Sequence, residues 1–133
     1  MPTVQGQIWK GSPFTIERSE GKTSATVIFR FHGPFTAGDM YGSLTPFALR
    51  NLLDFQSTGD DGPPALNILD LTDVPYMDSA GLGMIVQHFV RCKSKGVRLI
   101  AAGAGSRVLD LFTLAKVDGL IPTAVTVEEA EAH

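Results

Sequence analysis

Cysteine is nearly missing from this sequence, with Cys92 alone among 133 residues. A lone thiol forms no internal disulfide and builds no metal site by itself. Long apolar runs are missing too. None approaches the ~20 residues that a membrane-spanning helix needs, and Met1-Pro2-Thr3 does not open a signal peptide. Positive charge is in deficit, with 11 Lys and Arg against 14 Asp and Glu and a formal net charge of -3. That balance leaves no basic stripe to meet nucleic-acid phosphates. It also leaves no cluster of Lys and Arg to hold the chain on an anionic membrane. The expectation from these absences is a cytoplasmic protein with no nucleic-acid, membrane, metal or cofactor partner.

Hydrophobic residues make up 44% and charged residues 19% of the chain, ordinary values for a soluble globular protein. The length fits one domain over 1–133, with its core at about 14–130, burying roughly two-thirds of its unfolded surface. FTIER at 14–18 alternates apolar and polar, and ATVIFRF at 25–31 is β-branched and aromatic, so the two predict an antiparallel hairpin. Thr45-Pro46 gives a capping hydroxyl followed by proline at a first helical position, with Leu49, Leu52 and Leu53 at helical spacing. STGDDGPP at 57–64 predicts a solvated loop.

Downstream, ALNILDL at 65–71 suits a buried strand. The helix after it places Leu82, Ile85, Val86, Phe89 and Val90 on one stripe, and Lys95-Gly96 closes it. VRLIAAGA predicts another strand. SRVLDLFTLAKVDGL predicts a helix facing inward through Val108, Leu111, Phe112 and Ala115. AVTV at 124–127 predicts a final short strand, and EEAEAH the start of a helix. Tyr76 is assigned a core contact. Strands alternating with helices imply parallel βαβ units, and the leading hairpin makes the sheet mixed. The fold class is α/β, with four to five strands and helices largely on one face.

The stretch PYMDSAGLG at 75–83 places an acid and a serine between a proline and two glycines. As a nucleophile Ser79 needs a base in hydrogen-bond reach. His88 follows by nine residues, about 900° of helix rotation, and so lies on the opposite side. His32 belongs to the distant hairpin and His133 ends the chain. The hydrolase elbow G-x-S-x-G fails as well, because Met77 stands in place of its first glycine. No catalytic residue is assigned. His88 and Cys92 are an i, i+4 pair, but Cys92 lies on the apolar stripe and reads as a buried structural thiol. Gly103-x-Gly105 lacks the third glycine of a dinucleotide fingerprint and reads as a tight strand-to-helix turn.

Two readings of Ser79 remain. Asp78 and Ser79 stand at a helix entrance, where either side chain can accept from free backbone N–H groups. Gly81 and Gly83 together cost about 1.5 to 2 kcal/mol against alanine in a helix, which a cap does not explain. They predict a first turn left open for something outside to approach. The site also lies at the carboxyl end of a βα unit, where open α/β sheets present functional loops. A phosphate on Ser79 suits a helix amino terminus, yet would strand a dianion in any interface docked there.

The motif NILDLTDVPYMDSAGLGMIV at 67–86, with TVIFRFHGPFT upstream and VRLIAAGAGSRVLDLFTLAKVDGLIP downstream, resembles a STAS domain of the bacterial anti-sigma factor antagonist type. The resemblance implies that Ser79 is phosphorylated by a partner anti-sigma factor that is itself a serine kinase. Unphosphorylated antagonist would bind that kinase; phosphorylated antagonist would let go, and a phosphatase would restore it. By the same resemblance Asp78, Ser79, Ala80, Gly81, Leu82 and Gly83 form the docking surface. Thr36 stands there where relatives carry an acid after the second strand. The chain would be a substrate and a binding module, monomeric or weakly dimeric. A STAS scaffold that is never phosphorylated, or one that binds a nucleotide or lipid, is the alternative.

Overall fold

A computed structural model of the chain describes residues 6–10, 14–23, 25–38 and 63–132. Its elements are β1 (Gly6–Lys10), β2 (Thr15–Glu20), β3 (Thr26–His32), β4 (Leu66–Asp73), α1 (Ser79–Ser94), β5 (Arg98–Ala102), α2 (Ser106–Leu114), β6 (Thr123–Ala124) and α3 (Val127–Glu131). The strands form one sheet in the order β1-β2-β3-β4-β5-β6. The first three run antiparallel, and β3 to β6 are parallel neighbours. The mixed α/β class is therefore as expected. β1 adds a strand to the expected hairpin, pairing with β2 from Gly6 opposite Arg18 to Lys10 opposite Thr15.

The period of two in β3 divides the core. Val27, Phe29 and Phe31 face one layer, packed with Leu69 and Leu71 of β4, Leu82 and Ile85 of α1, and Val108 and Phe112 of α2. Ile28 faces the other layer, with Ile68, Ile100, Ala102 and Ala130 of α3. Helices α1 and α2 thus cover one face, as expected, and the short α3 closes part of the other. Phe35, just beyond β3, stacks on Phe14 with ring centroids 5.1 Å apart and meets Phe31 edge-on at 5.1 Å. Those contacts anchor the chain where it leaves the sheet.

Four local expectations change. Val90 is 57% exposed, because the buried stripe of α1 runs through Leu82, Ile85, His88 and Cys92. Helix α2 stops at Leu114. There Lys116 takes φ 61°, and the N–H groups of Lys116 and Val117 return to the carbonyls of Thr113 and Phe112. Ala115 is accordingly an exposed cap outside the apolar face. The last strand ends at Ala124, and Val127 opens α3 instead. Thr126 caps that helix by accepting from Glu129 N at 3.0 Å, a local hydroxyl–glutamate pattern that overrides the strand preference of the valines. Tyr76, finally, is 37% exposed and packs against Arg107 rather than the core. The helix expected after Thr45-Pro46, and the loop at 57–64 up to residue 62, lie outside the described residues.

Candidate docking surface at the carboxyl edge of the sheet

At the carboxyl ends of β3 and β4 two chain segments run side by side. Val74, buried, holds the exit of β4 by donating to Leu71 O at 3.1 Å. Phe35 N then donates to Tyr76 O at 3.1 Å, Asp78 N donates to Phe35 O at 3.4 Å, and Phe35 pairs with Met77 as a parallel bridge. The buried aromatic ring of Phe35 thereby fixes both its own segment and the loop that carries Asp78 and Ser79.

Asp78 joins the pieces. Its extended backbone makes it the N-cap of α1; Oδ1 accepts from Gly81 N at 3.0 Å and Oδ2 from Ala37 N at 3.0 Å. Burial works against its charge, but N–H donors from Gly81, Ala37 and Ala80 outweigh that and hold the carboxyl below the usual range. Gly81 is needed for a different reason than an open helix turn. It is buried, and a Cβ there would lie 2.2 Å from Phe35 O and 3.1 Å from Phe35 Cδ2. Only a residue with no side chain lets α1 approach the Phe35 segment this closely.

The seven candidate residues therefore have distinct positions. Ser79 is exposed at the first position of α1, with Ala80 half-buried beside it. Gly81 and Leu82 face inward, Leu82 being 5% exposed in the main core. A Cβ placed on Gly83 would meet no atom within 4 Å, so the open turn expected from two glycines rests on one. Thr36, far away in sequence, is brought next to Asp78 through the Ala37 hydrogen bond.

The described histidines are engaged elsewhere. His88 is buried, and its Nε2 donates to Asn67 Oδ1 at 2.7 Å, while Asn67 Nδ2 donates to Val27 O at 2.9 Å. Cys92 Sγ lies 3.6 Å from the same ring nitrogen, and burial pushes its thiol up to about 12. That is the chemistry of an inert core thiol. Among the described residues no group of three or more His, Cys, Asp or Glu is placed to hold a metal ion. Gly103 takes φ +75° and approaches Thr72 closely, which accounts for the glycine of the partial fingerprint as a turn.

Sequence reasoning missed two features near the edge. His32 lies between Glu17 and Asp73, next to Arg30, whose Nε donates to Asp70 Oδ2 at 2.7 Å. That hydrogen bond raises the Arg30 pKa. Burial opposes the charge of Asp70, yet donors from Thr72 and Arg30 bring its carboxyl below the ordinary value. The alternation of β3 places Arg30 and His32 on the face away from α1, which is the signal that could have located them. Arg107 of α2 lies over the Tyr76 ring, its guanidinium carbon 4.9 Å from the centroid. No local pattern links two residues so far apart in the chain.

This architecture belongs to the STAS domain family, whose model matches residues 19–130. A putative anti-sigma factor antagonist from Thermotoga maritima has a similar structure, with a TM-score of 0.71 at 18% identity, covering 88% of this chain and 92% of that one. An anti-sigma-B factor antagonist from Listeria monocytogenes is 36% identical over 53 residues, 40% of this chain and 46% of its own length. Solute carrier family 26 member 10 of Mus musculus is 34% identical over 74 residues, 53% of this chain and 11% of that protein. The chain thus spans less than half the length of either relative. Among the described residues no helix is long and apolar enough to cross a membrane.

Proposed function

We propose that this chain, a single STAS domain, is an anti-sigma factor antagonist switched by phosphorylation of Ser79. Unphosphorylated, it binds an anti-sigma factor serine kinase in the cytoplasm and so releases a sigma factor; phosphorylated, it lets go until a phosphatase restores it. The observation that carries the reading is the contrast between neighbours. Ser79 is exposed, while the Asp78 carboxylate beside it is committed on both oxygens to backbone N–H groups. A phosphate at the first position of α1 adds about -1.5 to -2 charges where a helix tolerates them, so the fold survives. A docked partner would bury that dianion beside an ionised Asp78. Losing ~3 kcal/mol of interface free energy weakens binding more than a hundredfold.

The likeness to the Listeria antagonist supports this reading, and the engaged histidines support a binding module with no catalysis of its own. Ser79, Ala80, Gly83 and Thr36 form its contact surface, with Asp78, Gly81 and Leu82 setting the shape beneath. The test is retention of an anti-sigma factor kinase by Ser79→Ala but not Ser79→Asp protein, together with phosphate on the Ser79 peptide after incubation with kinase and ATP. A second reading rests on Thr36, which stands where the family resemblance places an acid: a STAS module that is never phosphorylated, or that binds a nucleotide or lipid. Equal retention by both variants, with Ser79 unmodified, would favour it.

A further inference from the structure

Tyr76 and Arg107 lie at the same edge as Ser79, and the core absorbs neither. Tyr76 precedes Ser79 by three residues, so their Cα atoms are at most about 11 Å apart. Arg107, the second residue of α2, brings its guanidinium onto the exposed ring from a different element. A surface cation–π contact contributes only about 0.5–1 kcal/mol, a small return for displaying two large side chains.

The carboxylates of β2, β4 and the α1 entrance have partners of their own, and Asp110, three residues beyond Arg107 on α2, makes no ion pair with it. Asp78 serves backbone N–H groups, Asp73 and Glu17 serve His32, and Asp70 serves Arg30. Among the described residues no carboxylate pairs with Arg107. The ring restrains its planar donor fork, and no ion pair with another described residue uses that fork's hydrogen-bonding capacity. Arginine in that state suits a carboxylate, and Tyr and Arg are the residue types that dominate binding energy at interfaces. A partner patch of about 800 Å² laid on this edge is wide enough to take in both Ser79 and the Tyr76 ring on which Arg107 rests.

We propose that Tyr76 and Arg107 anchor the docked anti-sigma factor, Arg107 forming charge-assisted hydrogen bonds to a carboxylate of the partner while Tyr76 holds the guanidinium in place. The proposal rests on the antagonist reading above and deepens it. Arg107 supplies attraction that is independent of Ser79, and the serine decides whether that attraction is enough.

Calorimetric titration of the full chain with the purified anti-sigma factor kinase of the same organism tests it. The set is wild type, Ser79→Asp, Arg107→Gln, Arg107→Lys, Tyr76→Ala, and Lys93→Gln at the far end of α1. Arg107→Gln is expected to raise Kd about tenfold or more and to flatten its dependence on salt. Arg107→Lys should fall between, keeping the charge but losing the fork. Tyr76→Ala should also weaken binding, while Lys93→Gln binds as wild type, and thermal midpoints of the Arg107 variants fall by no more than the loss of one surface contact allows. If Arg107→Gln binds like wild type while Ser79→Asp does not, the anchor is overturned and the switch stands. If Arg107→Gln is weakened while Ser79→Asp binds fully, the anchor stands and the switch fails. Absence of any wild-type binding overturns both.

Discussion

At the scale of single residues, Gly81 and Asp78 together make Ser79 presentable. Gly81→Ala would force a Cβ to 2.2 Å from Phe35 O, so either α1 or the Phe35 segment must move. Overpacking of this kind costs about 1–3 kcal/mol, and the expected result is a lower denaturation midpoint together with weakened partner binding. Gly83→Ala meets no neighbour and replaces a poor helix former, so it should stabilise the chain by about 0.5–1 kcal/mol. Opposite signs at two glycines of one motif, measured by urea denaturation, check the assignment. Asp78 carries a pH prediction. Its carboxyl titrates below the unfolded value in the folded chain, so its contribution is complete above about pH 4 and is lost as pH falls through the folded pKa. Asp78→Asn keeps a capping oxygen but no charge. The stability gap between wild type and this variant should therefore shrink on acidification.

At the scale of elements, two helix ends use the same closure with different residues. After α1, Gly96 takes φ +74° and Val97 N donates to Cys92 O; after α2, Lys116 takes φ 61° and Val117 N donates to Phe112 O. The first end is legible in the sequence because glycine announces a left-handed residue. The second is not, since a lysine in that conformation leaves no mark in the pattern, and the apolar periodicity carries the expected helix on to Leu120. Lys116→Gly should stabilise the chain by about 1 kcal/mol by removing the left-handed penalty, and Gly96→Ala should destabilise it by a similar amount, both read from thermal midpoints. The parallel strands and the entrance to α1 are readable because hydrophobic runs and capping residues are local signals. Thr36 enters the site only by family resemblance. The packing of Phe35 under Gly81, and of Arg107 on Tyr76, joins residues that are distant in the chain, and no local periodicity encodes it.

At the scale of the whole molecule, the sheet separates two cores, and a buried polar chain ties the larger one together. Asn67 of β4 bonds His88 of α1 and the Val27 carbonyl of β3. Removing one partner strands the other, so Asn67→Leu should cost about 1–3 kcal/mol, with part of the loss recovered in the Asn67→Leu, His88→Leu double variant. Denaturant titration of the three variants checks this. Cys92 provides an independent report on the same core. It is fully buried and its thiol is pushed up to about 12, so labelling by a thiol reagent should proceed only through opening of the domain and should accelerate with urea in step with unfolding.

The two oxygens of Asp78 have a consequence for when the surface can exist. One binds a residue three positions ahead and the other a residue 41 positions behind, so no peptide cut from around Ser79 holds both bonds. During synthesis the serine emerges well after Ala37, yet it acquires its native setting only once β3 and β4 have aligned and Phe35 has seated. An enzyme that recognises the assembled surface would therefore pass over nascent, truncated or misfolded copies. Under the switch proposed above, phosphorylation would then count finished molecules alone, and the pool open to it would be metered by folding as well as by expression.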